Sequence, residues 1–227
     1  MAIKKNPSKK TKTSKGPIIF EKNIKEILNQ NEVEENKDEA ANVGNVNSYM
    51  IKLVLIGDAA VGKTSIRQRY LGKGFTQEHL ATLGADFAVA NRSIENIQIK
   101  YQIWDLAGQP MFKNVRPRFF RGCFGALAVF DVTRKETFEN LTSWIKELYQ
   151  YSGRGIVPVI ILANKVDLEE EKSVTKKEMK KLLDQLNERT KEKDIENFIL
   201  ETSAKTGLNI EKAFEILGEY IVNRFSS

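Results

Sequence analysis

Cysteine, histidine and long apolar runs are nearly missing from this chain. Cys123 is the only cysteine in 227 residues, so neither a disulfide framework nor a thiolate metal cluster can be built, which suits a reducing, cytoplasmic setting. No apolar run approaches the roughly 18–20 residues of a membrane span, and the N-terminus lacks the apolar core of a signal peptide. An excess of basic charge in the fold is also lacking. The net charge of +6 comes from Lys4, Lys5, Lys9, Lys10, Lys12 and Lys15, and the rest of the chain balances at 30 basic against 30 acidic residues. Nucleic acid is therefore not the expected partner, because the basic excess sits on an N-terminal arm too polar to order itself.

What is present is enough apolar content, 41%, for one sizeable domain. Residues 1–47 read as a flexible basic extension, with Phe20, Ile24, Ile27 and Leu28 at helical spacing over residues 18–30 and a polar linker after them. The domain is expected over 48–227. YMIKLVLIGD, ENIQIKYQIWD, ALAVFDV and VPVIILANK are strand-like. TFENLTSWIKELYQYS, TKKEMKKLLDQLNER and NIEKAFEILGEYIVNRF carry helical periodicity. This alternation predicts an α/β fold, a mostly parallel sheet with helices on both faces, whose ligands bind at the carboxyl ends of the strands.

Gly57-Asp58-Ala59-Ala60-Val61-Gly62-Lys63-Thr64, followed by Ser65, fits the phosphate-loop pattern at the end of the first strand. Its backbone N–H groups can point inward at an oligophosphate while the next helix adds its positive end. Lys63 can bridge the outer phosphates, and the Thr64 hydroxyl can ligate Mg²⁺. Asn164-Lys165-Val166-Asp167 follows another apolar strand at the same sheet edge. The Asp167 carboxylate accepts two hydrogen bonds, which matches the ring N–H and exocyclic amine of guanine and not adenine. Glu201-Thr-Ser203-Ala204-Lys205 makes a further loop there.

With these residues the chain, over roughly 49–225, closely resembles the Ras superfamily of small GTPases and, within it, the Rab branch. GDAAVGKTS, Phe75 and Thr82, TLGADF, WDLAGQ, NKVD and ETSAK occur in order and at family spacing. The resemblance implies a P-loop NTPase G domain with a six-stranded sheet, bound GTP or GDP with Mg²⁺, and slow hydrolysis, on the order of 10⁻⁴ s⁻¹ without a partner arginine. It implies that Phe75 stacks on the guanine, that Asn164 and Asp167 read it, and that Lys165 packs along it. The Ala204 N–H, flanked by Ser203 and Lys205, would contact the base oxygen. Thr82 and Asp105 would join Thr64 at the metal, Gly108 would meet the γ-phosphate through its backbone, and Gln109 would orient the attacking water, with Lys63 as the catalytic cation. A monomer served by an exchange factor, a GTPase-activating protein and effectors is the implied setting.

Departures from the family pattern matter. The end Asn-Arg-Phe-Ser-Ser carries no prenylation cysteine and Ala2 excludes glycine myristoylation, so peripheral contact with an anionic membrane is expected to fall to the lysine arm, unless its helix docks on the G domain. Pro110 follows Gln109 and pushes that residue toward extended angles, which either helps or hinders its presentation of the amide. Pro117 lies within the expected helix of the second switch, and Ala59 puts a methyl close to the γ-phosphate position. These changes leave a non-hydrolysing, guanine-nucleotide-bound scaffold as the alternative to a switch. Elsewhere, Cys123 and Trp144 read as core, and His79 as inert. Arg116, Arg118 and Arg121 read as a solvated basic face, and Trp104 divides between core and effector contact.

Overall fold

The computed structural model describes residues 48–74, 82–94 and 97–225. The lysine arm, the segment expected to be helical over 18–30, Phe75 and His79 lie outside the described residues. Six strands, β1 (Ser48–Ile56), β2 (Ala85–Ile94), β3 (Ile97–Leu106), β4 (Gly125–Asp131), β5 (Val159–Asn164) and β6 (Phe198–Glu201), form one sheet in the order β2-β3-β1-β4-β5-β6. All neighbours run parallel except β2, which pairs antiparallel with β3. β2 is the strand that the apolar-run reading missed. Its sequence, ADFAVANRSI, has four polar residues in ten and lies at an edge, so its apolar run is short and rich in alanine.

Strand alternation divides the core. Leu53 and Leu55 of β1 face a layer built with Ile66, Tyr70, Phe214, Leu217 and Ile221, from helices α1 (Lys63–Tyr70) and α6 (Ile210–Phe225). Val54 and Ile56 face the opposite layer, where Phe120, Trp144, Leu148, Met179 and Leu183 pack from α2 (Arg116–Phe120), α4 (Leu141–Tyr151) and α5 (Lys176–Thr190). Each fully buried aliphatic or aromatic side chain contributes about 1.5–3 kcal/mol, so these two layers hold the strand ends rigidly in place. Cys123 belongs to the second layer, and burial pushes its thiol up to about 12, which leaves it inert.

One expected helix is divided in two. The run TFENLTSWIKELYQYS gives a short α3 (Lys135–Glu139) and then α4, with Asn140 between them. Pro117 does not break α2, because it stands in the first turn, where a backbone N–H has no intrahelical acceptor to lose. α5 starts with a capping box, in which the Thr175 hydroxyl accepts from the Glu178 N–H and the Glu178 carboxylate accepts from the Thr175 N–H.

Candidate functional site

The carboxyl ends of β1, β3, β5 and β6 deliver four loops to one edge of the sheet. After β1 the chain turns through Gly57, passes Ala60 with φ +61° and reaches Gly62 with φ +101°. Positive φ at Ala60 costs a residue with a side chain about 1–2 kcal/mol, and it curls the loop so that successive N–H groups face one side. Gly62 is required on a second ground, because a Cβ there would come within 2.3 Å of the Asn164 Nδ2. α1 then begins without a side-chain cap or an acidic residue in its first turn, which leaves its positive end directed into the loop.

Lys63 is buried and donates to the carbonyls of Gly57 at 2.8 Å and Asp58 at 2.7 Å. Burial pulls its ammonium down to about 8, so it stays largely cationic at neutral pH. Beside it, three oxygen-bearing side chains from separate parts of the chain converge. The Thr64 hydroxyl donates to the Asp105 Oδ2 at 2.5 Å and lies 3.0 Å from the Thr82 hydroxyl. Asp105 is fully buried at the end of β3, its Oδ1 has no partner, and burial pushes its carboxyl up. An unpartnered buried carboxylate oxygen next to two hydroxyls suits a small hard cation, which takes one or two carboxylates and completes its shell with phosphate and water. The structure thus brings Thr64, Thr82 and Asp105 together.

Gly108 presses directly on the phosphate loop, where an added Cβ would lie 2.2 Å from the Asp58 carbonyl carbon and 2.3 Å from the Ala59 nitrogen. Gln109 follows with φ −71° and ψ 140°, the extended conformation that a succeeding proline imposes. Pro110 opens a 3₁₀ turn over Pro110–Phe112.

The loops after β5 and β6 are tied to this loop by Asn164. Its Nδ2 donates to the Val61 carbonyl at 2.8 Å and its Oδ1 accepts from the Ala204 N–H at 3.2 Å, so both ends of the amide span loops. Asp167 accepts from the Ser203 hydroxyl at 2.5 Å and has Lys205 at 4.0 Å, while Lys165 reaches Asp131 at 2.7 Å.

Four side chains in this region were not legible as site residues. Trp144 is in the core as predicted, but its Nε1 donates to the Asp58 Oδ1 at 2.8 Å, and Asn140 donates to the Oδ2 at 2.7 Å. Arg134 donates to Asp131 at 3.2 Å and to the Ala59 carbonyl at 2.9 Å. Arg116 is 6% exposed, which corrects the expectation of a solvated basic face for this residue; Arg118 and Arg121 are exposed. The aromatic ring of Trp144 supplies a favourable face for the Arg116 guanidinium at 3.9 Å, so burial costs less than it would against aliphatic neighbours. Trp104 is partly buried in a row with Phe87 at 5.2 Å and Phe119 at 5.6 Å, and Phe87 is 55% exposed.

A family model described as the Ras family matches residues 52–223. The Ras-related protein RABA4b of Arabidopsis thaliana is 38% identical over 175 residues, covering 77% of this chain and 74% of the relative. The Ras-related protein Rab-13 of Bos taurus is 36% identical over 174 residues, covering 77% and 81%.

The chain belongs to the Ras family.

Within the Ras family it is a Rab-like small GTPase, a nucleotide-dependent switch that hydrolyses GTP. The six-stranded sheet, with one antiparallel edge strand and helices on both faces, is the architecture that membership implies. Family membership also favours the switch over the nucleotide-bound scaffold. Among the described residues no helix is long and apolar enough to cross a membrane.

Proposed function

We propose that this Ras-family chain works its switch with the following residues. The convergence of Thr64, Thr82 and the unpartnered Asp105 Oδ1 beside Lys63 is the observation that carries the reading. Residues 58–65 cradle the β- and γ-phosphates with backbone N–H groups, and Lys63 neutralises them from one side. Thr64, Thr82 and Asp105 would together hold Mg²⁺. When bound, that ion supplies Lewis-acid stabilisation of the phosphate charge.

Asp167 reads guanine through its carboxylate, held in place by Ser203. Asn164 contributes by fixing the phosphate loop, the base loop and Ala204 relative to one another. Ala204 offers its N–H to the base oxygen, with Lys205 flanking it, while Lys165 and Phe75 cover the faces of the base. Gly108 donates its backbone N–H toward the γ-phosphate, and Gln109 orients the water that attacks it in line.

Thr82 and Gly108 lie on the two segments that the γ-phosphate would hold and hydrolysis would release. Exchange factors, activating proteins and effectors are proposed to read those segments, with the exposed Phe87, backed by the partly buried Trp104 and Phe119, as a contact between them. The chain is proposed to act as a monomer, with the arm as its membrane contact.

The deciding experiment is single-turnover hydrolysis of GTP by the purified protein. The parent should release phosphate slowly, and Gln109→Leu should lower the rate by about tenfold or more while still binding GTP. Equal rates would overturn the role of Gln109.

A further inference from the structure

We propose that Arg116 is a positioning residue for GTP hydrolysis, acting through Gln109. The inference rests on the reading that Gln109 orients the attacking water, and it concerns what holds Gln109 in place. Of the three arginines in this segment only Arg116 is buried, and a buried guanidinium must be repaid by directed contacts. Its Nη2 donates to the Gln109 carbonyl at 2.8 Å, and its Nη1 lies 3.4 Å from the Glu147 carboxylate of α4. Its guanidinium carbon lies 3.9 Å from the centre of the Trp144 ring, whose Nε1 is bonded to Asp58 of the phosphate loop.

The result is a continuous chain of contacts from the phosphate loop, through an indole and a guanidinium, to the backbone of Gln109. The Gln109 carbonyl has a second donor in the Phe112 N–H at 3.2 Å. The peptide between Gln109 and Pro110 is therefore held from two sides, and Pro110 itself removes a backbone N–H and fixes φ on the far side of that bond. With its backbone set, Gln109 has only side-chain torsions left to search. That reduces the loss of freedom on reaching the attacking geometry. The arrangement also answers how this chain tolerates proline after its glutamine: the extended backbone that Pro110 imposes turns the Gln109 carbonyl toward Arg116.

A role limited to stability makes a different prediction from a role through Gln109, and a double-mutant comparison separates them. Single-turnover GTP hydrolysis and the affinity for a fluorescent, non-hydrolysable GTP analogue are measured for the full chain, Arg116→Ala, Gln109→Leu and the double variant. Arg116→Ala should slow hydrolysis about tenfold while analogue affinity stays within about twofold, and it should cause no further slowing in the Gln109→Leu background. If Arg116→Ala does not fold, Arg116→Lys replaces it with the same direction of effect, because lysine lacks the planar fork whose two separate nitrogens serve Glu147 and the Gln109 carbonyl. A parent-like rate in the Arg116 variant, or an equal fractional loss in both backgrounds, overturns the proposal. A parent-like rate in Gln109→Leu removes the reading beneath it as well, so the two failures are distinguishable.

Discussion

The Trp144 indole N–H is hydrogen-bonded to the Asp58 carboxylate at 2.8 Å, joining α4 to the phosphate loop across 86 residues of sequence. Asn140, at the break between α3 and α4, holds the other carboxylate oxygen, so one acidic side chain is gripped from two positions on the same helical segment. Trp144→Phe keeps an aromatic ring in the core but removes the donor together with part of the buried indole volume. It should destabilise the fold by about 1.5–3 kcal/mol, since the lost hydrogen bond is to a charged group and buried volume is lost with it. Urea unfolding measures this. A midpoint equal to the parent's would show that the bond to Asp58 contributes nothing.

Arg134 ties Asp131 to the Ala59 carbonyl, and Asp131 in turn holds Lys165 of the base loop. Removing the guanidinium loosens the phosphate loop where no backbone ladder supports it. Because the Arg134 side chain is 38% exposed, its contribution is screened to about 1 kcal/mol, and Arg134→Ala should release GDP about fivefold faster. Displacement of a fluorescent GDP analogue reads the rate directly. An unchanged rate would mean that Ala59 needs no clamp.

Asp167 has one oxygen on Ser203, and each carboxylate oxygen has a second lone pair to spare. Asp167→Asn exchanges an acceptor for a donor. Affinity for GTP should fall by about 10- to 100-fold and affinity for xanthosine triphosphate should rise, since the amide can donate to the extra base oxygen. Competition titrations with both nucleotides test it, and an unaltered order of preference would remove Asp167 from base recognition.

Glu178 has an acidity set by its contacts. The Lys135 ammonium at 2.7 Å and the Thr175 N–H and hydroxyl hold its carboxyl down to about 2, from an ordinary value of 4.5. A depressed folded-state value means stability that is present above the ordinary value and lost as pH falls through the folded one. The parent should therefore melt higher than Glu178→Gln at neutral pH, with the gap closing between pH 4.5 and about 2. A gap independent of pH would contradict the assignment.

The six lysines of residues 1–16 contribute up to about 1 kcal/mol each near an anionic surface, in a salt-dependent manner. The full chain should float with anionic vesicles at low salt more than a variant beginning at Ser48 does, and lose that advantage at high salt. Equal flotation would leave the arm without a membrane role.

The residues that the sequence by itself determined are those whose chemistry is built from consecutive positions. A phosphate nest needs neighbouring N–H groups and a glycine where a Cβ cannot fit, so GDAAVGKTS was readable at once, as was the carboxylate of NKVD at the end of an apolar strand. Pro110 fixed the extended conformation of Gln109 by local sterics alone. Tertiary structure decided the rest. β2 was illegible because an edge strand pairs through its backbone and shows no apolar periodicity of its own. Arg116, Arg134 and Asn164 are polar side chains whose partners come from chain segments brought together only by the sheet. Arg116 has the composition of a solvated residue, and its burial follows from the Trp144 face that α4 presents to it. Trp144 read correctly as core because helical spacing reports burial. Which polar atom an indole N–H meets at the edge of that core depends on the placement of a loop 86 residues away, and no local pattern carries that information.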